Sequence, residues 1–219
     1  MRTLAVLPIK NFTDAKQRLE TALTPGPRRA LAEAMFSDVL TALRRSSAVE
    51  DILVVTRDHG AQQIAGGHGA LVLDDEEHGH NPAALLGVRY ALEHGYERVL
   101  LVPGDCPVLD PRELNALIEL PAPGPSALIV SDRHGAGTNA LLLTPPDALA
   151  PAFGPGSCER HVANAEVAGT TPEVVRFASL ELDIDTPEDL DMLRRTLETM
   201  HGGAAHTRGM LSQMLRSRS

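Results

Sequence analysis

Arg98–Val102 (RVLLV) runs directly into Pro103-Gly104-Asp105-Cys106-Pro107. A short apolar run without polar alternation reads as a strand covered on both faces, and therefore central in a parallel sheet. The tight turn behind it leaves Asp105 at the rim of that sheet. On the N-terminal side, Leu4–Leu7 (LAVL), Asp51–Thr56 (DILVVT) and Ala70–Leu73 read as three more strands. A helix from about Arg28 to Arg45 lies between the first two, with Leu31, Met35, Val39 and Leu43 spaced by four on one face. A short helix over Ala61–Ala65 ends at Gly66-Gly67, and another from about Pro82 to His94 stops at Gly95.

On the C-terminal side, Ala127–Val130, Ala140–Leu143 and Leu180–Ile184 read as strands. Pro111–Glu119, Ser157–Ala165 and Pro187 to about Met200 read as helices. Strands alternating with helices predict an α/β fold with a mostly parallel sheet. Ligands in such sheets bind beyond the carboxyl ends of the strands. One domain is expected over residues 1–200. Residues 201–219 open with HGGAAH and carry three arginines and no acid, which predicts a mobile tail or a loosely docked helix.

Composition removes several functions. The 219 residues are 43% hydrophobic and carry a formal net charge of −9. An acidic balance argues against general nucleic-acid binding, and 3% aromatics with no Trp leave no stacking platform. No apolar run approaches the roughly 20 residues of a membrane span. MRTLAVLPIK is interrupted too soon by Pro8 and Lys10 for a signal peptide. Two cysteines, Cys106 and Cys158, are too few for a disulfide scaffold, so a cytoplasmic setting is expected. Cys106 reads as packing rather than as a nucleophile. All but two of the 20 basic residues are arginine, and the two lysines, Lys10 and Lys16, fall in one short segment after the first strand.

That segment, with Arg18 added, is either a solvated basic loop or a site for a polyphosphate, without any Walker A or GxGxxG motif. Asp105 is either a turn former or a cation ligand. In Asp183-Ile184-Asp185-Thr186-Pro187-Glu188-Asp189-Leu190, a helix N-cap explains Thr-Pro-Glu-Asp but not the two preceding acids. Two aspartates from different strand ends suit Mg²⁺, a hard cation that shares its ligands with phosphates. Asp183 competes with Asp185 for that role.

Gly135-Ala136-Gly137-Thr138-Asn139 and Phe153-Gly154-Pro155-Gly156-Ser157 are turns or anion-binding loops, the second opening a helix. Asn81 is a helix N-cap or a base- or ribose-reading amide. His78 and His80 lie near acids but lack the regular ligand spacing of a zinc site.

Taken together, these motifs resemble the guanylyltransferases of coenzyme F420 biosynthesis, the CofC/FbiD family. The family's P-x-K and A-K-x-R-L are matched by Pro8 to Lys10 and Ala15 to Leu19. Its P-x-D-x-P is matched by Pro103 to Pro107, and its G-T-N-x-L by Gly137 to Leu141. Its F-G-x-G-S with a following His is matched by Phe153 to Ser157 and His161, and its D-x-D-T-P-x-D-L by Asp183 to Leu190. The resemblance runs from about residue 4 to 195 in the family's order. Cys158 stands where the family has an aromatic residue, and the glycine-rich L-x-A-G-G-x-S of other nucleotidyltransferases is absent.

The resemblance implies a single-domain, Rossmann-like (GT-A-like) nucleotidyltransferase with a mostly parallel mixed sheet flanked by helices. It implies attack of a small phosphorylated carboxylic acid on the α-phosphate of GTP, with release of pyrophosphate. Asp105 and Asp185 would hold Mg²⁺. Lys10, Lys16 and Arg18 would bind the triphosphate and act in catalysis. Pro8, Asn81 and Pro103 would lie along the nucleotide, and Thr138, Gly154 and Ser157 along the acid. The acid is phosphoenolpyruvate, 2-phospho-L-lactate or 3-phosphoglycerate. The arginine-rich coding style leans actinobacterial and so toward phosphoenolpyruvate. A downstream F420 transferase that takes a labile product is an implied partner. The competing readings are a molybdopterin cytidylyl- or guanylyltransferase, a glycosyltransferase of similar fold, and a non-catalytic nucleotide-binding domain.

Overall fold

The computed structural model describes residues 1–75, 79–121 and 124–216. Among them, one sheet holds β1 (Thr3–Pro8), β2 (Asp51–Val55), β3 (Leu71–Leu73), β4 (Arg98–Leu101), β5 (Ser126–Ser131), β6 (Thr138–Thr144) and β7 (Thr171–Val175). Their order across the sheet is β3-β2-β1-β4-β6-β5-β7. Only β6 runs against its neighbours, antiparallel to both β4 and β5. Its first residues therefore lie at the rim where β1, β2 and β4 end.

Helices α1 (Pro25–Arg45), α2 (His59–Gly67), α3 (His80–Glu93), α4 (Pro111–Glu119), α5 (Ser157–Ala168), α6 (Ala178–Glu181), α7 (Pro187–Thr199) and α8 (Ala205–Arg216) complete the chain. Strand alternation divides the core into two layers. Ala5 and Leu7 of β1 face α1, α2 and α4, packing with Phe36, Leu40 and Leu114. Leu4 and Val6 face α3 and α5, packing with Ala84, Val88 and Ala165. Phe36 is fully buried, which contributes roughly 1.5–3 kcal/mol. Gly87 lets α3 lie directly on β1, because a Cβ there would come within 2.2 Å of Val6 Cγ1. The run Arg98–Val102 does form the central strand: β4 pairs with β1 on one side and β6 on the other.

One expected strand is not a strand. Leu180–Ile184 belongs to the short helix α6 and the extended turn after it, while the last strand is Thr171–Val175 (TPEVV). This edge strand pairs only with β5 and is largely exposed, so it tolerates Pro172 and shows no apolar alternation. Leu180, Leu182 and Ile184 are buried for another reason: Leu180 packs against the sheet, while Leu182 and Ile184 pack in an apolar cluster with Leu31 of α1 and Leu193 of α7. Asn139 Nδ2 donates to Leu180 O at 2.7 Å, and Ile184 N donates to Asp105 O at 3.3 Å.

A third apolar cluster joins α1, α7 and α8 through Leu31, Met35, Leu193, Leu197 and Leu211. Asp38 of α1 caps α8 from outside, accepting from His206 N at 3.0 Å and Thr207 N at 2.8 Å. A carboxylate on free N–H groups at a helix start is stabilising by about 1 kcal/mol.

Candidate active site

The carboxyl rim of the sheet opens into a cavity of about 950 Å³. Its walls come from the end of β1 (Pro8, Lys10), the loop at Lys16, α1 (Met35), the ends of β2 and β3 (Arg57, Asp75), the start of α3 (His80), the turn after β4 (Pro103, Asp105) and Asp185. The loop after β1 is fixed at several points. Phe12 N donates to the Asp58 carboxylate at 2.9 Å, and the Phe12 ring packs on Phe36 at 5.7 Å. Leu19 is fully buried beyond Lys16.

Lys16 itself is left-handed, with φ 57° and ψ 38°, an uncommon conformation for a side-chain-bearing residue. That backbone aims its ammonium between two carboxylates. Lys16 Nζ donates to Asp105 Oδ2 in a short contact, and to Asp185 Oδ1 at 3.0 Å. Burial would lower the Lys16 pKa, but the charges of Asp105 and Asp185 outweigh it and hold it raised. The ammonium stays charged. The other oxygen of Asp105, Oδ1, is buried without a hydrogen-bond partner among the described residues. Gly104 brings the turn close to β1, since a Cβ there would meet Ile9 Cδ1 at 2.5 Å.

Asp185 is placed by the start of α7. Thr186 and Asp189 form a reciprocal capping box, and Asp189 Oδ2 also accepts from Asp185 N at 3.0 Å. Arg133 pairs with the buried Asp189 from the loop after β5. The helix-cap reading of Thr-Pro-Glu-Asp therefore holds, and the two acids before it have other partners. Asp183 accepts from Asn139 Nδ2 at 3.2 Å. Burial, reinforced by the Asp105 charge, lifts the Asp183 carboxyl to about 6. Asp183 and Asp185 face different partners, and no strand puts them on one face.

The remaining expected residues are distributed as follows. Pro8, Lys10, Lys16, Pro103, Asp105 and Asp185 all line the cavity. Arg18 is exposed on the short turn Gln17–Leu19 and is not among the lining residues. Asn81 is not the N-cap of α3, a position held by Gly79. Both ends of its amide clasp the backbone of Phe153, donating to O at 3.1 Å and accepting from N at 2.7 Å. Thr138, Gly154 and Ser157 form a second group beside the cavity, where the two glycine segments meet. Cys158 N donates to Ala136 O at 3.1 Å, and Thr138 Oγ1 lies 2.9 Å from His161 Nδ1. Gly154 and Gly156 have φ of +125° and +69°, which only glycine adopts without strain. Phe153 links the two groups, standing edge-on to His80 at 5.0 Å and to His161 at 5.2 Å. Cys106 is buried against Leu180 O, and burial with the nearby Asp105 charge pushes its thiol pKa up, so it is inert packing.

Sequence reasoning overlooked Arg57 and Asp75, although both follow strands at the ligand-binding rim. It weighed His80 only for zinc. His80 lines the cavity instead, its pKa lowered by burial and then by Lys10. His78, the other histidine of that reading, lies outside the described residues. Among the described residues no three His, Cys, Asp or Glu side chains gather into a metal-ligand cluster. Nor is any described helix long and apolar enough to cross a membrane.

The sequence model of the family described as "Guanylyl transferase CofC like" matches residues 3–217. The chain belongs to this family. The CofC-like match extends through α8, past the point near residue 195 where the short motifs end. A phosphoenolpyruvate guanylyltransferase of Conexibacter woesei is 53% identical over 219 residues, covering 99% of this chain and 98% of that one. A 2-phospho-L-lactate guanylyltransferase of Methanothermobacter thermautotrophicus is 30% identical over 214 residues, covering 98% and 92%. Among solved structures, a putative nucleotide-diphospho-sugar transferase from Desulfovibrio desulfuricans matches with TM-score 0.74 and 17% identity, covering 97% and 95%. The last match speaks to the fold alone, a mixed seven-strand sheet flanked by helices. Membership of the CofC-like family makes the chain a nucleotidyltransferase and sets aside the molybdopterin, glycosyltransferase and non-catalytic readings.

His161 also ties the site to acid stability. Its ring is fully buried, and burial, with Arg160 adding, lowers its pKa from 6.5 to about 4. Between those values the unfolded chain binds a proton that the folded chain refuses, so stability rises with pH across the window. The expected loss on acidification from pH 6.5 to 4 is up to about 3 kcal/mol from this residue. Urea titrations at several pH values check it: His161→Asn should flatten the slope in this window relative to wild type.

Proposed function

We propose that this chain transfers the guanylyl group of GTP to phosphoenolpyruvate, releasing pyrophosphate, as a step of coenzyme F420 biosynthesis. The observation that carries the reading is the Lys16 ammonium held between Asp105 and Asp185 at the cavity wall. Two carboxylates already gathered around one cation, one of them with an orphaned buried oxygen, fit a hard divalent ion. Asp105 and Asp185 would hold Mg²⁺. Asp185 suits this better than Asp183, which is occupied by Asn139 and pushed toward its neutral form. Bound there, Mg²⁺ supplies charge neutralisation and Lewis acidity to the phosphates.

The chain's own residues do the rest. Lys10 and Lys16 bind the triphosphate and stabilise the charge that collects on pyrophosphate. Arg18, exposed on the turn just after Lys16, would add its charge toward the triphosphate from outside the cavity wall. Pro8 and Pro103 shape the nucleotide wall, and Asn81 serves it indirectly by holding Phe153. Thr138, Gly154 and Ser157 hold the acceptor. An oxygen of the acceptor's phosphate forms a bond to the α-phosphorus of GTP. The bond from that phosphorus to the α–β bridging oxygen breaks, and its electron pair leaves with pyrophosphate. The attacking phosphate is already ionised near neutral pH, so no side chain need remove a proton. Catalysis is then positioning and electrostatic stabilisation. The choice of phosphoenolpyruvate among possible acids is supported by the similarity to the Conexibacter woesei enzyme. The product, a diphosphate joining the acceptor's phosphate to guanosine, would pass to an F420 transferase.

The test is pyrophosphate release over a matrix of four nucleoside triphosphates against phosphoenolpyruvate, 2-phospho-L-lactate and 3-phosphoglycerate, with Mg²⁺. GTP with phosphoenolpyruvate should give the largest kcat/KM. A preference for CTP or UTP, or a better rate with either other acid, overturns the assignment.

A further inference from the structure

His161 does not line the nucleotide cavity and has no exposed surface, yet both of its ring nitrogens are engaged. Ala152 N lies 2.9 Å from Nε2, and Thr138 Oγ1 lies 2.9 Å from Nδ1. A backbone N–H only donates, so Nε2 must be the bare, accepting nitrogen. The single proton of the neutral ring then sits on Nδ1, and Nδ1–H donates to the Thr138 hydroxyl. The opposite tautomer and the imidazolium would each set an Nε2–H against the Ala152 N–H. Burial and Arg160, which disfavour the charged ring, agree with this. Phe153, edge-on to the imidazole and clasped by Asn81, fixes the ring plane.

The consequence falls on Thr138. A hydroxyl has one proton and two acceptor positions. Among the described residues, His161 is the only hydrogen-bond partner of the Thr138 side chain, and it fills an acceptor position. We infer that His161 is a positioning residue for the acceptor acid: by donating to Thr138 it leaves the Thr138 O–H unspent and free to donate to an anionic carboxylate or phosphate oxygen. An unspent O–H donates more strongly to an anionic oxygen than to a neutral hydroxyl or carbonyl oxygen. This inference rests on the proposed placement of the acceptor at Thr138.

The two claims separate experimentally. Phosphoenolpyruvate KM, kcat and GTP KM are measured for Thr138→Ala, His161→Asn, His161→Gln and the double variant Thr138→Ala/His161→Gln. Asn can keep a donor near the Nδ1 position, whereas Gln can replace only the Nε2 acceptor. His161→Gln should raise the phosphoenolpyruvate KM about tenfold or more, with GTP KM unchanged, because a charge-assisted hydrogen bond is weakened. His161→Asn should stay near wild type, and the double variant should be no worse than Thr138→Ala alone. If Thr138→Ala leaves the acceptor KM unchanged, the acceptor placement itself is wrong and the inference falls with it. If Thr138→Ala raises it but His161→Gln does not, the placement stands and the inference is overturned. Equal damage from Asn and Gln, with lowered melting temperatures, would mean a purely structural histidine and also overturns it. Independently of any variant, ¹⁵N spectra of histidine-labelled wild type at pH 7 should show His161 protonated at Nδ1 and bare at Nε2. A proton on Nε2 overturns the inference outright.

Discussion

Asp105→Asn folds as wild type and turns over GTP more slowly by about 10³-fold or more. The expectation follows from how little else the carboxylate does. Its Oδ2 bonds Lys16 and its Oδ1 bonds nothing among the described residues, so the fold loses one ion pair at a rim and no core contact. The backbone bond from Ile184 N to Asp105 O, which ties the α7 approach to β4, is untouched by the substitution. An amide is a weak ligand for a hard cation and cannot offset the ammonium's charge. Circular dichroism melting alongside pyrophosphate release checks both halves. Turnover within a few-fold of wild type removes Asp105 from the chemistry. A large fall in melting temperature would instead make it a structural residue.

Lys16→Ala has effects of opposite sign on two measurements. Turnover falls by about 10²–10³-fold, because a positioned charge on the leaving group is lost. Cation binding, by contrast, becomes easier. Wild-type Lys16 sits between the two carboxylates, so any divalent ion must compete with a fixed ammonium there. Without it, Asp105 and Asp185 face each other as like charges, destabilising the cation-free protein until an ion arrives. The melting temperature of Lys16→Ala should therefore rise more with added MgCl₂ than that of wild type. Equal Mg²⁺ responses would show that the ammonium and the metal do not share a place. Lys16→Arg should rescue little, since a planar guanidinium does not fit a point-charge position between two carboxylates.

Much of this was legible because the decisive residues follow strands. RVLLV announces a central strand, and the turn after it can only put Asp105 at the ligand rim. The scarcity of lysine likewise singled out Lys10 and Lys16, and both line the cavity. What could not be read depends on contacts between distant segments. TPEVV carries too little apolar pattern to be seen as a strand, because an edge strand needs only one partner. LELDI has that pattern because Leu180 packs on the sheet and Leu182 and Ile184 pack among the helices, without joining the ladder. Asn81 looked like a cap and is not one, and the backbone its amide clasps lies 72 residues away. Arg57 and Asp75 carry no motif at all. Only the parallel order of β2 and β3 brings them to the cavity.

The reversed strand β6 has a consequence for how such enzymes diversify. β4 and β6 are hydrogen-bonded neighbours in fixed register, Leu101 opposite Leu141, so the sheet works as a ruler between Asp105 and Thr138. That spacing cannot be retuned without breaking the ladder. An enzyme of this design that changes acceptors must do so in the loops that end the ruler, around 135–138 and 153–157, while the half that activates the nucleotide stays as it was. With the acceptor placed as proposed, acceptor choice would be a separable module, open to change by loop substitutions that leave the shared chemistry intact.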